Sequence, residues 1–446
     1  MSLRLSTASL FVVLAAVTGA MAKEIRISDR VFLVRDRSGA PVEFQMIVNA
    51  GCADESGGQC RGLAHYLEHL ILVGRNPEHN NSAFRFFPDV TTNGWTSQTA
   101  TVYWHRMPQR AEGPRADLEK VFNFYAARLR SFAIPEEEAA RERNVVLQEH
   151  DWRLGSNATA RFFRKLDRAL IPDHPLGQWT IGTRDTIKAL ALDEARTFHE
   201  RWYKRSNVWF LVTGDVEPAL LKEISEQALK DADAGAVPPR PSLMPPPVTP
   251  RRETLLEQDP QATRRLAAFE KLVRIEESDK LATFARVSVL AQLLASQLPG
   301  SLNEAVVERT KISTTRPMVF LRRIAPETYK LTLAADVTET VDPDGRKLLA
   351  ALGAYTESLT AEQFSDRNVE RIRKRVLYER KTADGIPEQV FQRLVGWLSQ
   401  GHDPDDIDRL TVKIAAVQKA DLAPLLAALA GKGAIAEGIL APKTGE

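Results

Sequence analysis

Apolar residues recur along the chain with two periods, and the period changes from segment to segment. Residues 31–35 form a short apolar run, and residues 42–50 alternate apolar and polar up to Gly51, as strands do. Residues 62–73 switch to helical spacing, with Leu63, Tyr66, Leu67 and Leu70 on one face. Residues 99–107 alternate again and are rich in Thr, Val, Tyr and Trp, which predicts a strand. Residues 117–132 and 135–154 read as helices. The second opens on Pro135 followed by Glu136, Glu137 and Glu138, where proline fits the first turn and acidic groups suit the helix dipole. An apolar strand over 208–213 ends at Gly214.

The stretch 236–252, AVPPRPSLMPPPVTPRR, breaks this pattern. Its proline density rules out a helix or central strand and predicts a stiff, extended spacer. Beyond it the pattern restarts. Strands are expected at 265–273, at 318–335 with an interruption near Pro326, and at 433–440. A helix is expected at 281–298, before Pro299-Gly300, and helices dominate between the later strands. Strands mixed with long helices, without regular βαβ alternation, predict an α+β fold. At 446 residues the chain exceeds one ordinary core. We expect two domains, 23–235 and 253–446, joined by the spacer 236–252.

Composition narrows the picture. Charged residues make up 26% of the chain and the formal net charge is +2, with no basic block. That excludes a nucleic-acid partner and any strong pull towards acidic membranes. Residues 1–22 read as a signal peptide. Arg4 supplies the positive start, residues 10–17 the apolar stretch, and Ala20-Met21-Ala22 the cleavage site. The apolar stretch falls short of the ~20 residues needed to span a bilayer. An exported chain, most simply periplasmic, with no membrane insertion after cleavage is expected. In that compartment the two cysteines, Cys52 and Cys60, can close the loop between them as a disulfide; two free thiols are the alternative. Neither belongs to a C-x-x-C pair, so they are not read as metal ligands.

The candidate chemistry lies in His65-Tyr66-Leu67-Glu68-His69. Two imidazoles four positions apart share one helical face, with a carboxylate beside the second. Two metal ligands next to a general base would look like this, in the inverted order H-x-x-E-H. The bland alternative is a helix with two exposed histidines. A catalytic zinc needs a third protein ligand. Glu142 and Glu149 share a helical face, and the residues alone leave Glu142, Glu149 and His150 open. His79 and His105 are weaker candidates.

With these residues in view, the chain resembles the inverted-motif zinc peptidases typified by pitrilysin, insulin-degrading enzyme and the mitochondrial processing peptidase. The likeness covers most of the chain after residue 22. It rests on GCADESGGQCRGLAHYLEH, on Glu142-Arg-Asn-Val-Val-Leu-Gln-Glu149, and on Asn93-Gly94-Trp95-Thr96-Ser97 followed by Thr101 and Tyr103. It also takes in His174-Pro175-Leu176-Gly177, a structural landmark in which His174 is not a ligand. The resemblance implies two homologous domains, each a mainly antiparallel sheet packed with helices, and one Zn²⁺ per chain held by His65, His69 and Glu149. It implies Glu68 as the base, Glu142 as a residue that orients the site, and Asn93 as the residue that holds the substrate backbone on an edge strand. By residue types alone, Asn93-Gly94 would be a plain turn. Peptides or unfolded segments are the implied substrates, and a dimer of two copies or of two related chains the implied assembly. One departure stands out. Where the family often places an arginine and a tyrosine that grip substrate, this chain has Val307 and Thr314, with Arg309 and Arg316 nearby. A sister chain supplying that pair would be the consequence.

Overall fold

A computed structural model describes residues 24–74, 82–232, 234–240 and 244–443. The expected signal peptide and His79 lie outside these residues. The strands build two sheets. The first contains β1 (Glu24–Ser28), β2 (Val31–Arg35), β3 (Glu43–Val48), β4 (Thr91–Thr96), β5 (Thr101–Arg106) and β6 (Val208–Gly214). The second contains β7 (Arg251–Asp259), β8 (Leu266–Arg274), β9 (Met318–Ala325), β10 (Thr328–Asp336) and β11 (Ala434–Pro442). Their orders are β1-β2-β6-β3-β5-β4 and β7-β11-β8-β10-β9. With β1 set aside, the two orders match strand for strand. The parallel pair sits at the same place in each, β2 with β6 and β7 with β11, and the remaining pairs are antiparallel. The fold is α+β, two sheets of like topology each packed with helices.

Each sheet is covered on both faces. Phe44, Met46 and Val48 of β3 face a core built with Leu67, Leu70, Phe122 and Tyr125 from helices of the same half. Ile47 of β3 points the other way, to a cluster with Val390, Phe391, Leu394 and Leu398. Those four come from the helix Pro387–Ser399, which belongs to the second half of the chain. The exchange is reciprocal. Helix Ala158–Leu170 of the first half lays Phe162, Leu166 and Leu170 on Leu266, Ala268 and Ala334 of the second sheet. Burying one such side chain stabilises by about 1.5–3 kcal/mol, so these two patches fasten the halves together.

Three expectations need correction. The spacer ends earlier than residue 252: β7 begins at Arg251 and pairs with β11 from its first residue. The last spacer proline is Pro250, so a backbone N–H is available for the ladder from 251 onwards. The interrupted strand 318–335 is a hairpin of β9 and β10, turned at Glu327, whose φ is +52°. The helix 281–298 stops at Leu294.

Candidate metal centre

The helix Leu63–Val73 carries the inverted motif. Its start is held by the preceding loop. The buried Glu55 carboxylate accepts hydrogen bonds from Arg61 N at 2.7 Å and Ala64 N at 3.0 Å, and so satisfies backbone donors at the helix's first turn. Cys52 and Cys60 are joined as a disulfide and close the loop that delivers Glu55. The same loop reaches the hairpin of β4 and β5, because Cys52 N donates to Ser97 O at 3.1 Å. Gly62 enters the helix with φ +90°, and a Cβ there would lie 2.3 Å from Ile181 O. Leu63, Tyr66, Leu67 and Leu70 are buried, which pins one face and leaves His65, Glu68 and His69 together beside it.

The His65 and His69 rings meet edge-on, centroids 4.9 Å apart. The Nε2 atom of each lies 3.4 Å from Glu149 Oε2. Glu149 comes from the helix Glu136–Gly155. Arg153, one turn on, pairs with Oε1 of the same carboxylate and leaves Oε2 to the histidines. Glu142, two turns earlier on that face, places Oε2 3.4 Å from His69 Nδ1. His150 points elsewhere: its Nδ1 is 3.2 Å from Asp151 Oδ1, and its ring lies against Trp179. His105 is buried between Thr92 Oγ1 at 2.9 Å and Tyr125 Oη at 2.7 Å. His174 accepts a bond from Leu176 N within its own short turn. Among the described residues, the group that could hold a metal is His65, His69 and Glu149, with candidate ligand atoms within 4.8 Å of one another.

The donor set fits zinc. Zn–N and Zn–O bonds of ~2.0–2.1 Å around a tetrahedron give edges of about 3.4 Å. Both His–Glu149 separations are 3.4 Å. Burial pushes the His65 imidazole down to about 3, so the ring stays neutral at neutral pH, with one nitrogen lone pair free to bind a cation. The Glu149 carboxyl sits at about 2; burial works against this, but His69, His65 and Arg153 outweigh it. Burial also opposes charge on His69, yet the Glu142 and Glu149 carboxylates raise it to about 9. A cation arriving between the rings would take the place of that proton.

Glu68 is buried beside this cluster, and burial lifts its carboxyl to about 7, against the pull of His69 and Thr96. Thr96 Oγ1 donates to Glu68 Oε2 at 2.6 Å. Thr96 belongs to β4, the outermost strand of the first sheet. Gly94, two residues before it, has the same facing: a Cβ there would meet Glu68 Oε1 at 2.7 Å. Asn93 lies on β4 as well, but alternation turns its side chain to the face away from Glu68. Its Oδ1 accepts from Gly94 N at 2.8 Å. Sequence reasoning did not single out Thr96, Arg153 or Glu55. Thr96 and Arg153 become visible only once β4 and the glutamate helix are seen to flank the motif.

Two matched α+β halves, one of them bearing a His-x-x-Glu-His helix beside a glutamate, mark a class of peptidase-like proteins. Residues 30–184 match the model described as insulinase (peptidase family M16), and residues 189–376 match the one described as the peptidase M16 inactive domain. The chain belongs to the insulinase family. The zinc protease PqqE of Helicobacter pylori is 25% identical over 61% of this chain and 60% of its own length. A crystal structure of a protease from Helicobacter pylori superposes with a TM-score of 0.75 at 18% identity, over 94% of this chain and 99% of that one. The periplasmic protease PqqL from Escherichia coli gives a TM-score of 0.74 at 18% identity, over 94% of this chain and 47% of that one. The chain thus spans less than two thirds of PqqE and about half of PqqL.

Proposed function

We propose that the protein is an exported zinc endopeptidase that hydrolyses peptides or unfolded protein segments. The observation that carries this reading is the convergence of His65, His69 and Glu149 beside a buried Glu68 that is hydrogen-bonded to an edge strand. His65, His69 and Glu149 would hold one Zn²⁺. When bound, the zinc supplies Lewis acidity, which acidifies water and polarises a carbonyl. Glu142 keeps the His69 ring oriented through Nδ1. Glu68, near neutrality at about 7, takes the proton of the attacking water on its carboxylate and returns it to the leaving nitrogen. The free edge of β4 pairs with an extended peptide, main chain to main chain, and Asn93 lies along that edge. Such pairing reads backbone, which favours unfolded segments over folded surfaces.

The signal-like residues 1–22 support export, and the periplasm is the compartment of the similar PqqL, itself a periplasmic protease. No helix of the described residues is long and apolar enough to cross a membrane. The working unit consists of domains 23–235 and about 253–446 around the proline-rich spacer.

A second reading has its own observation. Val307 packs against the second core and Thr314 is exposed. Arg309 is tied to Glu304, and Arg316 donates to Ala295 O. No arginine–tyrosine grip forms at these positions, so a dimer in which a related chain supplies one is the alternative.

Zinc analysis and cleavage of a quenched peptide library test both. Wild type is expected to hold one zinc and cleave. Glu68→Gln should keep the zinc and lose about 10²–10⁴-fold in rate. Equal cleavage by Glu68→Gln sinks the mechanism. Zinc-loaded wild type that is silent until a sister chain is added supports the second reading.

A further inference from the structure

A cleft of about 380 Å³ opens between the halves, lined among others by Trp95 of β4 and by Arg322, Arg323 and Lys330 from the β9–β10 hairpin. That is the size range of a small-ligand pocket. Three of these groups are cationic, and two are already neutralised. Arg323 clamps Glu277 through two bonds of 2.7 and 3.0 Å. Lys330 is buried between Asp167 and Glu270, the latter at 3.0 Å. The Arg322 side chain is exposed and makes no ion pair or hydrogen bond with any described residue.

Trp95 ties this cleft to the metal centre. It sits between Gly94 and Thr96, both of which face Glu68. Strand alternation therefore turns Trp95 to the opposite face, where it is 37% exposed and lines the cleft. A peptide added to the free edge of β4 alternates in the same way. Its side chains on the Trp95 side enter the cleft and meet an indole and an unpaired guanidinium. The guanidinium fork matches a carboxylate, and the indole takes the aliphatic stem.

We infer that Arg322, with Trp95, is a specificity-determining pair that selects extended peptides carrying a carboxylate on the cleft side, next to the scissile bond. This rests on the peptidase reading and gives it a substrate class. It also offers a source of grip where Val307 and Thr314 lack one. The competing role for Arg322 is an edge-strand charge that keeps β9 from pairing with other chains.

Calorimetric binding to zinc-loaded Glu68→Gln decides between them, because binding is read without turnover. The probes are matched decapeptides with Glu or Gln at one position in turn, each made with a free C-terminal carboxylate or an amide. At one Glu position, or for the free terminus, binding is expected to be about tenfold tighter than for the amide match, the size of one charge-assisted hydrogen bond. Which arm shows the gain separates a side-chain from a terminal carboxylate. Adding Arg322→Gln should erase the gain, and Arg322→Lys should keep part of it; circular dichroism checks that both fold. A gain that survives Arg322→Gln, no gain at any position, or no peptide binding overturns the inference. Binding selectivity without cleavage by wild type would leave this inference standing and defeat the peptidase reading. Cleavage by wild type with no selectivity does the reverse.

Discussion

The two halves share a sheet topology and differ in what they bury. In the first, the helix Leu63–Val73 follows β3 and buries His65 and Glu68 against Glu149 and Thr96. In the second, the helix Lys280–Leu294 follows β8 at the matching place and buries Thr283, Phe284, Val287, Leu290 and Leu294. Where the second half does bury charge, it sets Lys330 between the carboxylates of Glu270 and Asp167, a neutralised set that fastens a helix to a sheet. In the first half the imidazoles and carboxylates lie close together, and burial above all pushes Glu68 and His65 far from their ordinary pKa values. Burying such groups costs free energy unless they are paired or hold an ion. One scaffold thus serves twice, once for a buried cluster of imidazoles and carboxylates and once for packing and for the wall of a cleft.

The sharpest way to break this contrast is to remove a ligand from one half and a polar group from the other. His69→Ala should lower peptide cleavage at least as far as losing a general base would, by about 10²–10⁴-fold. Ser288→Ala, on the counterpart helix, should leave cleavage and zinc content at wild-type levels. The next largest effect concerns Glu55. Burial raises its carboxyl from 4.5 to about 7, so the folded state binds this proton more tightly than the unfolded one. The stability it contributes is fully present below pH 4.5 and is lost as pH rises through about 7. Across that window wild type should lose roughly 3 kcal/mol more than Glu55→Gln, read from denaturant melts at each pH.

Cys52→Ser tests the loop that delivers Glu55. Its eight-residue separation predicts a loss of about 2.5 kcal/mol in unfolding free energy, with no matching constraint in the second half. The smallest effect is expected at Thr96. Thr96→Val removes one hydrogen bond to the Glu68 carboxylate and should cost about tenfold in kcat/KM. Losing a donor to the charged form raises the Glu68 pKa further, so the deficit should be larger at pH 6 than at pH 8. A pH-independent deficit would mean that Thr96 only shapes the strand.

Much of this was legible in the residues. The apolar spacing of Leu63, Tyr66, Leu67 and Leu70 located the helix, and the motif on its other face located the chemistry. The strand 31–35 falls where β2 lies, and 42–50 brackets β3. What escaped has local causes. β4 reads as a turn because Asn93-Gly94 favours one, and only pairing with β5 and contact with Glu68 hold it extended. The strand β7 was hidden by the prolines before it. The exchange of helices Ala158–Leu170 and Pro387–Ser399 left no periodic signal, since an amphipathic helix does not say which sheet it covers. The choice among Glu142, Glu149 and His150 likewise needed the helix's rotation, which spacing alone does not give.

The central claim is that the first half holds one zinc through three side chains, with Glu142 behind them. Zinc content and affinity of the purified protein, by elemental analysis and chelator competition, test it most directly. We predict one zinc per wild-type chain, none in Glu149→Ala, and about 10–100-fold weaker binding in Glu142→Ala. Glu149→Ala that retains zinc as wild type does, or a wild type that takes up none, would contradict the account.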